Sequence, residues 1–385
     1  MERFLSSALL ALIATGATAA AGEKPTTRSD RMPAFSWDTV PVCVHAGRMD
    51  RLLTDEQVRS LAERYPLVTL EKAHGWRRHD DTETATLSDA KRLRALAPDI
   101  TVCAYMNTFI AYPFYRTFDR FEAHPEWTLG RAEGSVRKKA GRWRYFDLRQ
   151  PDLRSWWLET VEQMVGPGRT DGLFLDALLQ VQGGWIRRSL GDDGYEELQK
   201  GLVALLRETR QRLGPEALLV YNGMRSHDVR GLIGTEWLPL VDGVMVEHFT
   251  HFHSASPESI ASDIERIEET GRAGKLVQVK GWPGFDWMDE DVKARSEEEN
   301  RRLAAEALTF PLACFLVAAQ EYAYFCYSWG YRPEHGALDW FPEFDRPLGP
   351  PLGAARRDRW QFIREFEHAN VEVDVETRQA RIDWR

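Results

Sequence analysis

One phrase occurs twice in this chain and restricts what it can fold into. Residues 171–176 read Asp-Gly-Leu-Phe-Leu-Asp, and residues 242–247 read Asp-Gly-Val-Met-Val-Glu. Each is a turn, a three-residue apolar run and a carboxylate. A short apolar run bounded by a turn signal suits a strand buried on both faces. A charge at the end of such a strand needs a reason. At the C-terminal end of a parallel barrel strand it points into the mouth where barrel enzymes do their chemistry. Two carboxylates delivered in this way, Asp176 and Glu247, suit the acid/base or nucleophile/acid pair of glycoside hydrolysis. Each also has a structural reading: Asp176 as a helix N-cap, Glu247 as one partner of a buried ion pair.

Eight strand-like runs are predicted, over 40–45, 67–73, 100–107, 172–176, 217–222, 243–248, 276–280 and 322–328. Helix signals lie between them. Thr54 to Gln57 and Ser296 to Glu299 read as capping boxes, and Pro151 and Pro257 suit first helical positions. Residues 198–213 have amphipathic spacing, and 356–368 is predicted as a last helix. Alternating strand and helix imply an α/β fold with a parallel sheet, and eight repeats favour a (β/α)8 TIM barrel over an open sheet. The predicted barrel spans 37–369. It carries a long aromatic and basic insertion, 109–150, after strand three, and a short β-hairpin extension in 370–385. A loop as long as that insertion is usually a lid or a binding loop.

Several further residues fall near predicted strand ends. Glu71, Lys280 and Asn222 suit substrate hydroxyls or local salt bridges and turns. Trp282 and Trp329, with Trp287, suit stacking on sugar faces or ordinary packing. Asn107 and His248 complete the candidate binding set. Asp147 lines the cleft or anchors the loop. His251 and His253 form a His-x-His, but it lies beyond strand six without further ligands at metal spacing, so no metal and no cofactor is expected. No phosphate-binding loop, dinucleotide fingerprint or nucleophile elbow occurs.

The formal net charge of -9 argues against a nucleic-acid partner. Arg3, an apolar run from Leu5 to Ala14 and Ala17-Thr18-Ala19 resemble a signal peptide over 1–21. That predicts a secreted or periplasmic protein with a flexible leader, 22–36. No later segment is long and apolar enough to span a membrane. Cys43, Cys103, Cys314 and Cys326 match no zinc spacing and are expected to be buried thiols rather than disulfides.

The stretch from Pro125-Glu126-Trp127 through Gly134 to Tyr145-Phe146-Asp147-Leu148-Arg149-Gln150-Pro151-Asp152-Leu153-Arg154, followed by the Asp-Gly phrase, resembles glycosyl hydrolase-like family 15. The resemblance covers most of 38–345. It implies a TIM barrel acting on a carbohydrate, with Asp176 as nucleophile and Glu247 as acid/base. Glu247 departs from the Asp that relatives often carry there. The acid role requires Glu247 to be protonated at rest, its pKa raised by burial or by Asp176. A barrel that binds a glycan without cutting it is the alternative, and a metal-dependent hydrolase the third reading. The sequence specifies neither the sugar nor an oligomeric state.

Overall fold

The computed structural model describes residues 31–130, 138–139, 141–225 and 234–385. The predicted signal segment, the leader up to residue 30 and Gly134 lie outside them. Eight parallel strands pair in chain order: β1 (Val44–Ala46), β2 (Leu67–Leu70), β3 (Thr101–Asn107), β4 (Gly172–Asp176), β5 (Leu218–Asn222), β6 (Gly243–Phe249), β7 (Leu276–Gly281) and β8 (Ala323–Tyr327). Backbone bonds from Cys43 N to Phe325 O (2.9 Å) and from Phe325 N to Pro41 O (2.8 Å) join the two ends of the sheet into a barrel.

The repeated phrase has a structural explanation at its lower end. Asp171 accepts the backbone N–H of Val102 at 2.8 Å, and Asp242 accepts that of Leu219 at 2.9 Å. Each aspartate thus ties the foot of its own strand to the strand before it. The glycines that follow are packed against the next strand: a Cβ on Gly172 would lie 2.0 Å from Leu218 O, and one on Gly243 2.6 Å from Leu276 O. Only a residue without a side chain permits that approach.

Alternate residues fill the barrel interior, among them Cys43, Cys103, Phe174, Val220, Met245 and Cys326. All four cysteines are buried free thiols, as their apolar surroundings imply. The interior is closed below by residues expected to be leader. Met32 packs into it, and the Tyr324 hydroxyl donates to Pro33 O at 2.9 Å.

Helices α1 (Asp55–Arg64), α2 (Thr82–Leu96), α3 (Pro151–Glu162), α4 (Gly184–Leu213, broken at Gly191), α5 (Pro257–Arg272), α6 (Glu297–Ala307) and α7 (Thr309–Ala318) lie in the strand connections. Thr54 and Gln57 form the predicted capping box, and Pro151 and Pro257 open their helices. Ser296 caps α6 by accepting from Glu299 N.

The predicted helix over 356–368 is not a helix. It contains β9 (Arg356–Asp358) and β10 (Gln361–Glu365), which join β11 (Ala369–Asp374) and β12 (Gln379–Trp384) in a four-stranded antiparallel sheet. Phe362 and Arg364 are buried while Gln361 and Glu365 are exposed, the period-two pattern of a strand. Tertiary packing decides the matter. Residues 311–318 of α7 are all buried, so this helix needs cover on every side. The barrel and helices α5 and α6 cover part of it and the sheet covers another part, where β8 would otherwise be followed by a helix.

The insertion folds back on the mouth. Ile110 bridges Tyr145, Thr128 bridges Phe146, and a two-stranded piece pairs Lys138–Lys139 with Trp143–Arg144. Among the described residues no helix is long and apolar enough to cross a membrane.

Candidate active site

Asp176 stands at the end of β4, with every oxygen engaged. Oδ1 accepts from Asn222 Nδ2 (3.1 Å) and from Ala177 N (2.8 Å). Oδ2 accepts from Tyr105 OH (2.5 Å) and Asn107 Nδ2 (3.4 Å). Ala177 adopts φ 73°, a left-handed conformation that is costly for a residue with a Cβ. The turn brings its N–H onto the carboxylate. A carboxylate held by four donors is fixed in place.

Glu247 lies within β6, where the pairing with β7 shifts register between Val246 and Phe249. Such an irregularity re-aims side chains, and it is common beside active sites. Oε1 accepts from Tyr331 OH (2.7 Å), and Oε2 accepts from Asn222 Nδ2 (2.8 Å). Arg225 Nη2 is 3.8 Å and His248 Nε2 3.6 Å from Oε2. Trp282 Nε1 holds the Glu247 carbonyl at 2.6 Å.

One amide therefore sits between the two carboxylates. Asn222 Nδ2 is 3.1 Å from Asp176 and 2.8 Å from Glu247, so the nearest oxygens of the pair are at most about 6 Å apart. Below them His45 joins Glu71 (3.3 Å) to Gln278 (3.0 Å). Between these groups is a cavity of about 10 Å³, lined by Tyr105, Asp176, Asn222, Glu247 and Tyr331 among others and about large enough for one water. Glu71, Lys72 and Tyr331 also line a larger cavity of about 470 Å³ that opens outward. Its walls carry Trp76, Tyr112, Phe114, Trp143 and Trp287.

Burial by itself would raise the Glu247 carboxyl. Arg225 and His248, with the Asn222 and Tyr331 hydrogen bonds, outweigh that and hold it at about 2. This reverses the expectation of a proton on Glu247 at rest: the Arg225 guanidinium, with the hydrogen bonds from Asn222 and Tyr331, outweighs burial. Burial and the nearby Arg225 push His248 down to about 4, so it is neutral at pH 7. Burial and the adjacent carboxylates push the Tyr105 and Tyr331 hydroxyls up, which keeps both as proton donors in hydrogen bonds. Burial also lowers the Lys139 ammonium of the insertion, while the charges of Asp176 and Glu247 raise it.

The remaining predicted residues divide. Asn222, Glu71 and His248 surround the pair. Asn107 is fully buried: its Oδ1 accepts from Phe109 N and Ile110 N, and its amide supports Tyr105 and Asp176, so it positions rather than contacts a ligand. Asp147 is clamped in a two-point ion pair with Arg149 (2.7 Å each) and anchors the insertion. Lys280 is fully buried, lowered to about 8 by burial, and bonds to Ser328 O and Gly281 O. Trp282 and Trp329 are 2% and 1% exposed, so neither presents a face to a sugar; Trp287 does line the outer cavity. Their sequence positions were informative, but the strand ends bury them as packing. His251 is 3.4 Å from Asp286, and among the described residues no cluster of His, Cys, Asp and Glu is arranged to hold a metal.

Sequence reading missed Tyr105, Tyr331, Arg225 and Lys72. Tyr105 was within reach, since it shares a strand face with Asn107. Tyr331 and Arg225 come from loops, where no periodicity marks direction.

The maltogenic α-amylase AmyB from Thermotoga neapolitana is similar at 11% identity with a TM-score of 0.48, over 86% of this chain and 84% of that one. A xylosidase from Aspergillus niger is similar at 12% identity with a TM-score of 0.49, over 78% of this chain and 45% of that one. The α-galactosidase AgaA A355E from Geobacillus stearothermophilus is similar at 12% identity with a TM-score of 0.46, over 88% of this chain and 48% of that one. The chain thus spans less than half the length of the last two. No curated protein matches it. The model of hypothetical glycosyl hydrolase family 15 matches residues 94–370, from within α2 to the start of β11. A match over that much of the barrel shows the family: the chain belongs to hypothetical glycosyl hydrolase family 15 and is by that membership a glycoside hydrolase.

Proposed function

We propose that this protein hydrolyses a glycosidic bond with retention, using Asp176 as nucleophile and Glu247 as acid/base. The observation that carries the reading is the Asn222 amide shared by both carboxylates. It keeps their nearest oxygens within about 6 Å, nearer the separation of retaining pairs (about 5–5.5 Å) than that of inverting ones (about 6.5–9.5 Å). Asp176 attacks the anomeric carbon while Glu247 gives its proton to the departing oxygen. Glu247 then takes a proton from water, whose oxygen displaces Asp176. Since Arg225, Asn222 and Tyr331 hold Glu247 ionised, a bound sugar has to change its surroundings. Displacing the Asn222 amide and excluding water both move the carboxyl upward. The N-terminal sequence supports action outside the cytoplasm.

The low value for Glu247 favours a second reading, with the roles exchanged. Aryl glycosides with good leaving groups separate the two. In the first reading Asp176→Asn lowers kcat about a thousandfold or more with every leaving group. Glu247→Gln then spares the activated substrates and is rescued by azide as a glycosyl azide. Exchanged behaviour of the two variants selects the second reading. Product of inverted configuration overturns retention. Full activity in both variants, or saturable glycan binding without cleavage by the unmodified protein, overturns the catalytic pair.

A further inference from the structure

The outer cavity holds a charge balance at odds with the molecule. The chain carries a net -9, yet four cations, Lys72, Arg77, Arg142 and Arg332, line this cavity against one carboxylate, Glu71. Glu71 is turned inward to His45 and lies 4.0 Å from Lys72. Among the described residues Arg77 and Arg142 make no ion pair; Arg142 lies over the Trp143 ring at 5.3 Å. Arg332 reaches Glu334 only at 3.9 Å, a half-exposed contact that water screens. His335 is lowered by burial and adds no charge at neutral pH.

A neutral sugar needs hydroxyl partners and flat rings, which Trp76, Tyr112 and Trp287 offer. Lys72 has the Glu71 carboxylate beside it, but a neutral sugar gives Arg77, Arg142 and Arg332 no reason to converge. All four are exposed at the rim of the cavity, where together they present a positive potential to whatever enters it. A planar guanidinium fork matches the oxyanions of a carboxylate or a sulfate. Resting on the glycosidase reading above, we infer that the substrate is an anionic glycan. Its charged sugar, a uronic acid or a sulfate ester, lies in the outer cavity beside the bond placed at Asp176 and Glu247. The aromatic walls take the sugar faces and the cations take the oxyanion.

The test uses the full chain carrying Asp176→Asn, so that binding is read without turnover. Its dissociation constants are measured by calorimetry for polygalacturonate, alginate, dextran sulfate and carrageenan. Each polymer is compared with its carboxyl-reduced or desulfated counterpart. The expected result is at least tenfold tighter binding of one charged polymer than of its neutral form. Adding Arg77→Gln and Arg142→Gln should weaken that binding tenfold or more while circular dichroism and Tm stay as they were. A carboxylated or a sulfated winner identifies the oxyanion. Equal binding of charged and neutral forms, no binding of any charged polymer, or indifference to the arginine substitutions overturns the inference. Its failure is separable from that of the glycosidase reading. Hydrolysis of a neutral glycan that depends on Asp176 leaves that reading standing without this one.

Discussion

Glu247 shows how far neighbours outweigh burial at a single residue. Its side chain is mostly buried, yet it sits at about 2 against an ordinary 4.5, because Arg225, His248, Asn222 and Tyr331 all favour the charge. Arg225→Gln removes the leading attractive charge and should move the Glu247 midpoint up by a unit or more, read by carbon NMR of the labelled carboxyl. An unmoved midpoint would show that Arg225 is not its counterion. The same shift has a stability consequence. A depressed carboxyl contributes stability that is fully present above about 4.5 and is lost as pH falls toward 2. In Arg225→Gln the loss should begin from a smaller contribution and end at a higher pH, which acid titration of Tm would register.

At the scale of the element, the two Asp-Gly feet do the same job with unequal support. Asp171 has a 41% exposed side chain and one arginine partner, Arg94 at 2.7 Å. Asp242 is 5% exposed and pairs with Arg31 at 2.8 Å and Arg210 at 2.5 Å, besides holding Leu219 N. Removing a buried, multiply bonded carboxylate leaves its cations and an N–H without partners. Asp242→Ala should therefore cost about 3–5 kcal/mol, against about 1–2 kcal/mol for Asp171→Ala. Urea denaturation of both variants checks the order, and equal losses would refute the unequal support of the two strand feet. The strand ends also explain which candidates were legible. Inward positions recur every second residue, so the carboxylates and Asn222 were readable. Tyr105 lies on that same period and could have been found by it.

For the whole molecule, the C-terminal sheet belongs to the barrel's stability. Arg364, buried in β10, donates to Leu316 O at 3.1 Å and to Ala319 O at 2.5 Å, closing the end of α7. Arg364→Ala strands those carbonyls in an apolar setting and should lower Tm by several degrees. Arg364→Lys restores the charge without the fork and should recover only part of the loss. An unchanged Tm in the alanine variant would mean that the sheet is an independent appendage.

The sequence by itself determined the class of fold, because buried parallel strands must be apolar, short and separated by helix-length crossovers. It also determined which strands carry Asp176 and Glu247, because an apolar run ending in a carboxylate has few uses. Tertiary structure alone decided what surrounds them. Arg225 and Tyr331 reach Glu247 from loops distant in sequence or outside the strand pattern, and no local period encodes such approaches. It likewise decided that Trp282 and Trp329 pack rather than stack, and that 356–365 pairs as strands. In each case the deciding energy comes from a surface supplied by another part of the chain.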